Sequence, residues 1–189
     1  MEQKNIKLDL DGTEVVAELQ LFDNSDKKKI KKLYKKWLSL SDLCQNMKGR
    51  RINIPEIISE GLFCVEFNCA RFIKCSGKMS SSFDCLRMSD NKKIQIKACS
   101  VEHDLTSFGP KSKWDEIYLV HFFPNKTYDG SYVVYKIEDS DIYNHKVNKN
   151  ETFKDQQIAG KRPRFSLMKD IIIPKGIKPT HIGNVLTDY

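Results

Sequence analysis

The chain has 189 residues, 40% of them hydrophobic and 30% charged, the proportions of a single globular domain with a real core. Its 32 Lys+Arg against 25 Asp+Glu leave a net charge of +7, which favours polyanionic partners. No stretch reaches the ~18 apolar residues that cross a bilayer, and the N-terminus lacks an apolar signal core, so no membrane association and a cytoplasmic location are expected.

Six cysteines, Cys44, Cys64, Cys69, Cys75, Cys85 and Cys99, form no Cys-x-x-Cys pair. They read as reduced structural thiols rather than disulfides or a zinc site.

Residues 6–22 predict a hairpin. Ile6-Lys7-Leu8-Asp9-Leu10 alternates, Asp11-Gly12 turns the chain, and Val15 to Phe22 returns. Ser25 or Asp26 then caps a helix reaching about Met47, with Ile30, Leu33, Tyr34, Trp37 and Leu38 as its apolar stripe. Lys27, Lys28, Lys29, Lys31, Lys32, Lys35 and Lys36 cover the opposite face, either as a solvated surface or as phosphate contacts.

Asn53 before Pro55 starts a second helix, expected to reach about Ala70 with Ile57, Ile58, Leu62, Phe63 and Phe67 inward. Glu56 and Glu60 stand four apart, hence on one face of it. Next comes a hairpin pairing 79–87 with 92–99 around Ser89-Asp90-Asn91-Lys92. A loop at Ser107-Phe108-Gly109-Pro110 precedes Ile117 to Phe123, apolar on both faces as in a covered central strand. Asp129-Gly130 turns into the strand Tyr132 to Ile137, and polar chain follows until Phe165 and Ile171-Ile172-Ile173. No repeat or low-complexity linker interrupts the chain. The expected fold is one α/β domain over 1–189, a central mixed sheet flanked by helices. Its catalytic core falls at about 53–137, after an N-terminal hairpin and helix at 6–47.

The most informative chemistry lies in Ile94-Gln95-Ile96-Lys97-Ala98, which alternates strictly. Gln95 and Lys97 share one side, about 7 Å apart by the strand repeat. Pairing with Ser82-Phe83-Asp84-Cys85 brings Asp84 beside them. A carboxylate, an amide oxygen and a lysine on one edge suit metal-assisted attack of water on a phosphodiester.

This layout resembles the PD-(D/E)XK nucleases, with Asp84 and Lys97 matching and Gln95 standing where an acid is usual. Three further segments carry a closer resemblance: Asn53-Ile54-Pro55-Glu56 through Glu60-Gly61-Leu62-Phe63-Cys64, the run from Lys97 to Ser112, and Arg162-Pro163-Arg164-Phe165-Ser166. They resemble the small type II restriction endonucleases that recognise GCNGC, over roughly residues 6–173. That resemblance implies a restriction-endonuclease-like core, Mg²⁺ as cofactor, and 5′-phosphate products from double-stranded DNA. It also implies a companion DNA methyltransferase protecting the host. A palindromic target and one site per chain imply a homodimer.

Gln95 brings no charge, so Mg²⁺ needs another carboxylate beside Asp84 and Gln95. The resemblance points to the helix before the active-site strands, hence Glu60 first and Glu56 second; Glu102 is too far along the chain. His103 and His121 belong to no ligand spacing and read as structural. Arg162 and Arg164, in a C-terminal DNA-contacting region at about 144–175, are set to pair with guanine or to touch phosphate. Lys161 is assigned to phosphate, as are Ser107 and Lys111 by resemblance; Asn144, Asn148, Gln156 and Gln157 are polar loop candidates. Two rivals remain open: a structure-specific nuclease with the same core, and a DNA-binding protein whose site has decayed at Gln95.

Overall fold

The computed structural model describes residues 2–10, 12–76, 83–102 and 105–189. Strand β1 (Glu2–Leu10) pairs antiparallel with β2 (Thr13–Leu21), lengthening the expected hairpin at its N-terminal end. Helix α1 (Lys27–Asn46) follows a one-turn 3₁₀ segment, Asn24–Asp26. That turn is capped by Asp23, whose side chain accepts from Ser25 N at 2.7 Å, while Asp26 stands at the N-cap position of α1 itself without a side-chain cap bond.

Helix α1 buries Ile30, Tyr34, Trp37 and Ser41, the spacing of one helical face. Leu33, expected in this stripe, is instead 41% exposed among the lysines. Trp37 is core, and its indole N–H donates to Ile52 O at 2.9 Å. That bond ties the segment entering the next helix back onto α1.

Helix α2 runs Glu56–Phe67, starting after Pro55 rather than at Asn53. Asn68 ends it in the left-handed conformation (φ 50°). The chain reverses into β3 (Cys69–Cys75), so Ala70, expected within the helix, pairs with Leu86 in the sheet. Gly61 lets α2 settle on the hairpin, because a Cβ there would sit 3.0 Å from the Phe22 ring.

Strands β4 (Cys85–Arg87) and β5 (Lys93–Cys99) form the next hairpin, and β5 runs parallel to β7 (Glu116–His121). Every residue of β7 is buried, as its two-sided apolar pattern predicts. Strand β8 (Ser131–Ile137) and the short β10 (His181–Asn184) complete an eight-stranded mixed sheet, ordered β1-β2-β3-β4-β5-β7-β8-β10.

The sheet is flanked by helices on both sides. On one face Ile94, Ile96, Tyr118 and Val120 pack beneath α1 and α2. On the other, Ile117, Leu119 and Ile137 meet α3 (Asp139–Tyr143), α4 (Phe153–Ile158) and the helical stretch Leu167–Ile172. Fully buried rings such as Phe63, Phe108 and Phe153 supply much of this cohesion, at roughly 1.5–3 kcal/mol per large apolar side chain. A separate two-stranded ribbon, β6 (Thr106–Ser107) with β9 (Arg164–Phe165), sits beside the C-terminal end of β5. Among the described residues no helix is long and apolar enough to cross a membrane.

Candidate active site

The site forms where β4 and β5 part. Asp84 still belongs to the sheet through its backbone, its N–H donating to Ile94 O at 2.9 Å and its carbonyl accepting from Phe72 N at 2.8 Å. The next rung is made by its side chain, as Oδ2 accepts from the Ile96 N–H at 2.7 Å. The carboxylate thus replaces the partner strand and is held against the edge of β5.

Gln95 is 4% exposed and lies behind Asp84, its amide Nε2 donating to Asp84 Oδ2 and, at 3.4 Å, to Ile96 O. Lys97, two residues on, lines the cleft with Asp84, Glu60, Glu56, Ser59 and Asn53, around a volume of about 280 Å³. Its ammonium lies 5.2 Å from the centre of the Phe108 ring. Glu60 reaches the same cleft from α2, and only 8% of it is exposed. Three of the four residues selected in the sequence, Asp84, Lys97 and Glu60, therefore line one cleft, and Gln95 touches it only through Asp84; Glu56, the second choice, lines the rim with its side chain 76% exposed.

The electrostatics of this cluster are those of a charged group taken out of water. Burial, then the nearby Asp84 carboxylate, pushes Glu60 up to about 7 despite its Arg71 partner. Burial also raises Asp84, against the Ile96 N–H and the Lys97 ammonium, which pull it down. Lys97 is lowered by burial while Asp84 and Glu60 pull it up. Two buried carboxylates raised in this way gain most from a cation placed between them.

Among the described residues no three His, Cys, Asp or Glu side chains are grouped as a metal site. The available donors are the oxygens of Asp84 and Glu60 with the amide of Gln95. An all-oxygen set of this kind fits a hard ion such as Mg²⁺. The amide presents its nitrogen to Asp84, so serving as a ligand requires the amide to turn and offer its oxygen.

Sequence reasoning missed Arg71. From β3 its Nε donates to Glu60 Oε2 at 2.5 Å and its Nη2 to Glu56 Oε1 at 2.9 Å. The residue directly follows a stretch read as helix to about Ala70, and only Asn68, tolerant of the left-handed conformation, marked the true break. His121 is buried with neither ring nitrogen hydrogen-bonded, and burial lowers it to about 4. His103 lies outside the described residues.

The ribbon β6–β9 places Ser107 opposite Arg164. Buried Pro163 accepts from Phe108 N at 3.1 Å, while Arg162 and Arg164 on either side of it are exposed. Phe108 stacks on Phe165 with ring centres 5.4 Å apart, so one aromatic joins the Lys97 environment to the arginine ribbon. Ser107 Oγ is buried without a hydrogen bond. Lys111 is exposed, in a turn whose Gly109 and Ser112 carbonyls accept from Gln157 Nε2 at 3.3 and 3.4 Å. Lys161 is paired with Glu151 at 2.5 Å. Gln156 and Asn148 both bond Glu151, which makes them part of the scaffold around Lys161.

The Bsp6I restriction endonuclease family matches residues 22–174. Type II restriction enzyme Bsp6I of Bacillus sp. (strain RFL6) is 35% identical over 150 residues, which cover 78% of this chain and 82% of that enzyme. No solved structure matches the chain. The matched span contains the hairpin-edge acid, the alternating strand beside it, the α2 carboxylates and the arginine ribbon alike, and the chain belongs to the Bsp6I family of type II restriction endonucleases, site-specific deoxyribonucleases.

Proposed function

We propose that the chain hydrolyses double-stranded DNA at a short palindromic site, GCNGC, leaving 5′-phosphate ends, with Mg²⁺ as cofactor. The reading is supported by the convergence of Asp84, Lys97 and Glu60 at one cleft beside the parting strands, with Gln95 bonded to Asp84 behind it. The target is that of the group its sequence resembles.

In this reading Asp84, Glu60 and, once its amide turns, the Gln95 oxygen would hold the metal, which would supply positive charge for the scissile phosphate and acidify water. The chain's own residues do the rest. Asp84 is fixed by the Ile96 N–H, so its orientation costs no reorganisation when DNA arrives. Lys97, poorly solvated and facing two acids, keeps its charge near them and offsets negative charge growing on the phosphate. It also orients the attacking water. Arg162 and Arg164 extend from the ribbon to guanine edges, Lys161 and Lys111 to phosphates, and Ser107, whose hydroxyl is buried in the free protein, turns outward to the backbone beside them.

Two copies act on the two strands of a palindrome, so the working form is a homodimer. A cognate methyltransferase marks host sites, and the pair works in the cytoplasm. Mapping the ends of plasmid cut in Mg²⁺ tests this reading. Discrete fragments ending within GCNGC support it; a ladder of random ends, or cuts confined to branched or damaged DNA, contradicts it.

A further inference from the structure

Resting on that active-site reading, we propose that the Arg71 guanidinium stands in for a second divalent cation, so that each chain works with one metal ion. Two-metal sites hold their ions about 3.5–4 Å apart and need carboxylates to bridge and flank them. Here the acids that would flank a second ion are already engaged. Arg71 spends Nε on Glu60 Oε2 at 2.5 Å and Nη2 on Glu56 Oε1 at 2.9 Å. Its planar fork fixes both carboxylates at once, which a point charge such as lysine cannot do.

Burial makes the Glu60 leg of the fork firm, while Glu56 at the rim stays 76% exposed. The side chains of Arg71 and Glu60 are 17% and 11% exposed, so their pairing is poorly screened by solvent. Arg71 engages only Oε2 of Glu60, which leaves Oε1 as the donor a cation would use. Gln95 removes a further acid from the count, since its amide can offer an oxygen but no charge.

Charge balance leads to the same number. Asp84, Glu60 and Glu56 face Arg71 and Lys97, leaving one negative charge when all are ionised. One divalent ion makes the site singly positive, which a scissile phosphate neutralises. Two ions would leave it triply positive in a cleft walled by protein, with no further acid among the described residues that line it.

The test counts ions directly. Ca²⁺ is titrated calorimetrically into the protein bound to a duplex carrying its mapped cleavage site, and then into Arg71→Gln and Arg71→Lys. Wild type is expected to take one ion per chain. Arg71→Gln, which releases both carboxylates, is expected to take two, and Arg71→Lys to stay at one with at least a threefold weaker affinity.

Two ions per wild-type chain overturn the proposal even if a variant fails to fold. One ion with unchanged affinity in folded Arg71→Gln, checked by its melting transition, overturns it equally. Asp84→Ala is the separate control. If that variant binds the metal as wild type does, the active-site assignment fails, whatever the count at Arg71.

Discussion

Asp84 Oδ2 accepts the Ile96 backbone N–H at 2.7 Å, so a side chain occupies the ladder position that β4 gives up. A carboxylate held by a strand edge has one orientation, which is what binding a metal beside a phosphate requires. Asp84→Asn keeps the shape but loses the charge. It is expected to lower cleavage by about 10²–10³, the usual cost of removing one stabilising group. Single-turnover cleavage against the melting temperature checks this, because the loss should appear without comparable loss of fold.

Gln95→Glu tests the neutral position. The substitution places a buried carboxylate against Asp84, where the amide now donates. Without metal the protein should lose about 1–3 kcal/mol, the cost of a buried group deprived of its partner. Saturating Mg²⁺ should restore most of it. Chemical denaturation with and without Mg²⁺ measures both; a variant equally stable in either condition would show that position 95 does not face the metal.

The arginine ribbon predicts a division of labour. Arg164→Ala should cost about 1–3 kcal/mol of discrimination if it reads a guanine. Lys111→Ala, which the proposed function places on a phosphate, should weaken all sequences alike and lower the salt slope by about one. Binding isotherms on cognate and substituted duplexes at several salt concentrations separate the two. A uniform loss for Arg164→Ala would reassign it to the backbone.

His121 sets an acid limit. Its folded value of about 4 lies below the ordinary 6.5, so the unfolded chain takes up the proton first. The stability it contributes is complete above pH 6.5 and is lost as pH falls from there toward 4. The whole effect is at most about 3 kcal/mol. Glu60 runs the other way, since a raised carboxyl weakens the metal-free fold as pH rises from 4.5 toward 7. The readout is therefore the difference between wild type and His121→Leu: unfolding free energies that diverge below pH 6.5 as wild type weakens. Parallel curves would contradict it.

Much of this was legible in the sequence because its signals are local. The alternation around Gln95 and Lys97, the helical spacing of Ile30, Tyr34 and Trp37, and the unbroken apolar run of β7 each depend on near neighbours alone. What escaped depends on distant chain. Strand β3 follows α2 with only Asn68 between them, so Cys69-Ala70-Arg71 carries no breaker that a helix pattern would notice. Strand β10 exists because it pairs with β8, where Gly183 admits the Tyr132 ring, and its own four residues show no alternation. Arg71 becomes part of the site only when β3 lies beside α2. Leu33 fits the helical stripe by spacing yet faces water, because Ile30, Tyr34 and Trp37 already fill the face against the sheet.

The central claim is that Lys97 completes a metal-dependent nuclease site with Asp84, Gln95 and Glu60. Lys97→Ala measures it most directly, assayed for plasmid cleavage in Mg²⁺ and for binding to the same sequence in Ca²⁺. Cutting is expected to fall at least about 10²-fold, with specific binding unchanged within a few-fold. Cleavage by Lys97→Ala at the wild-type rate would contradict it.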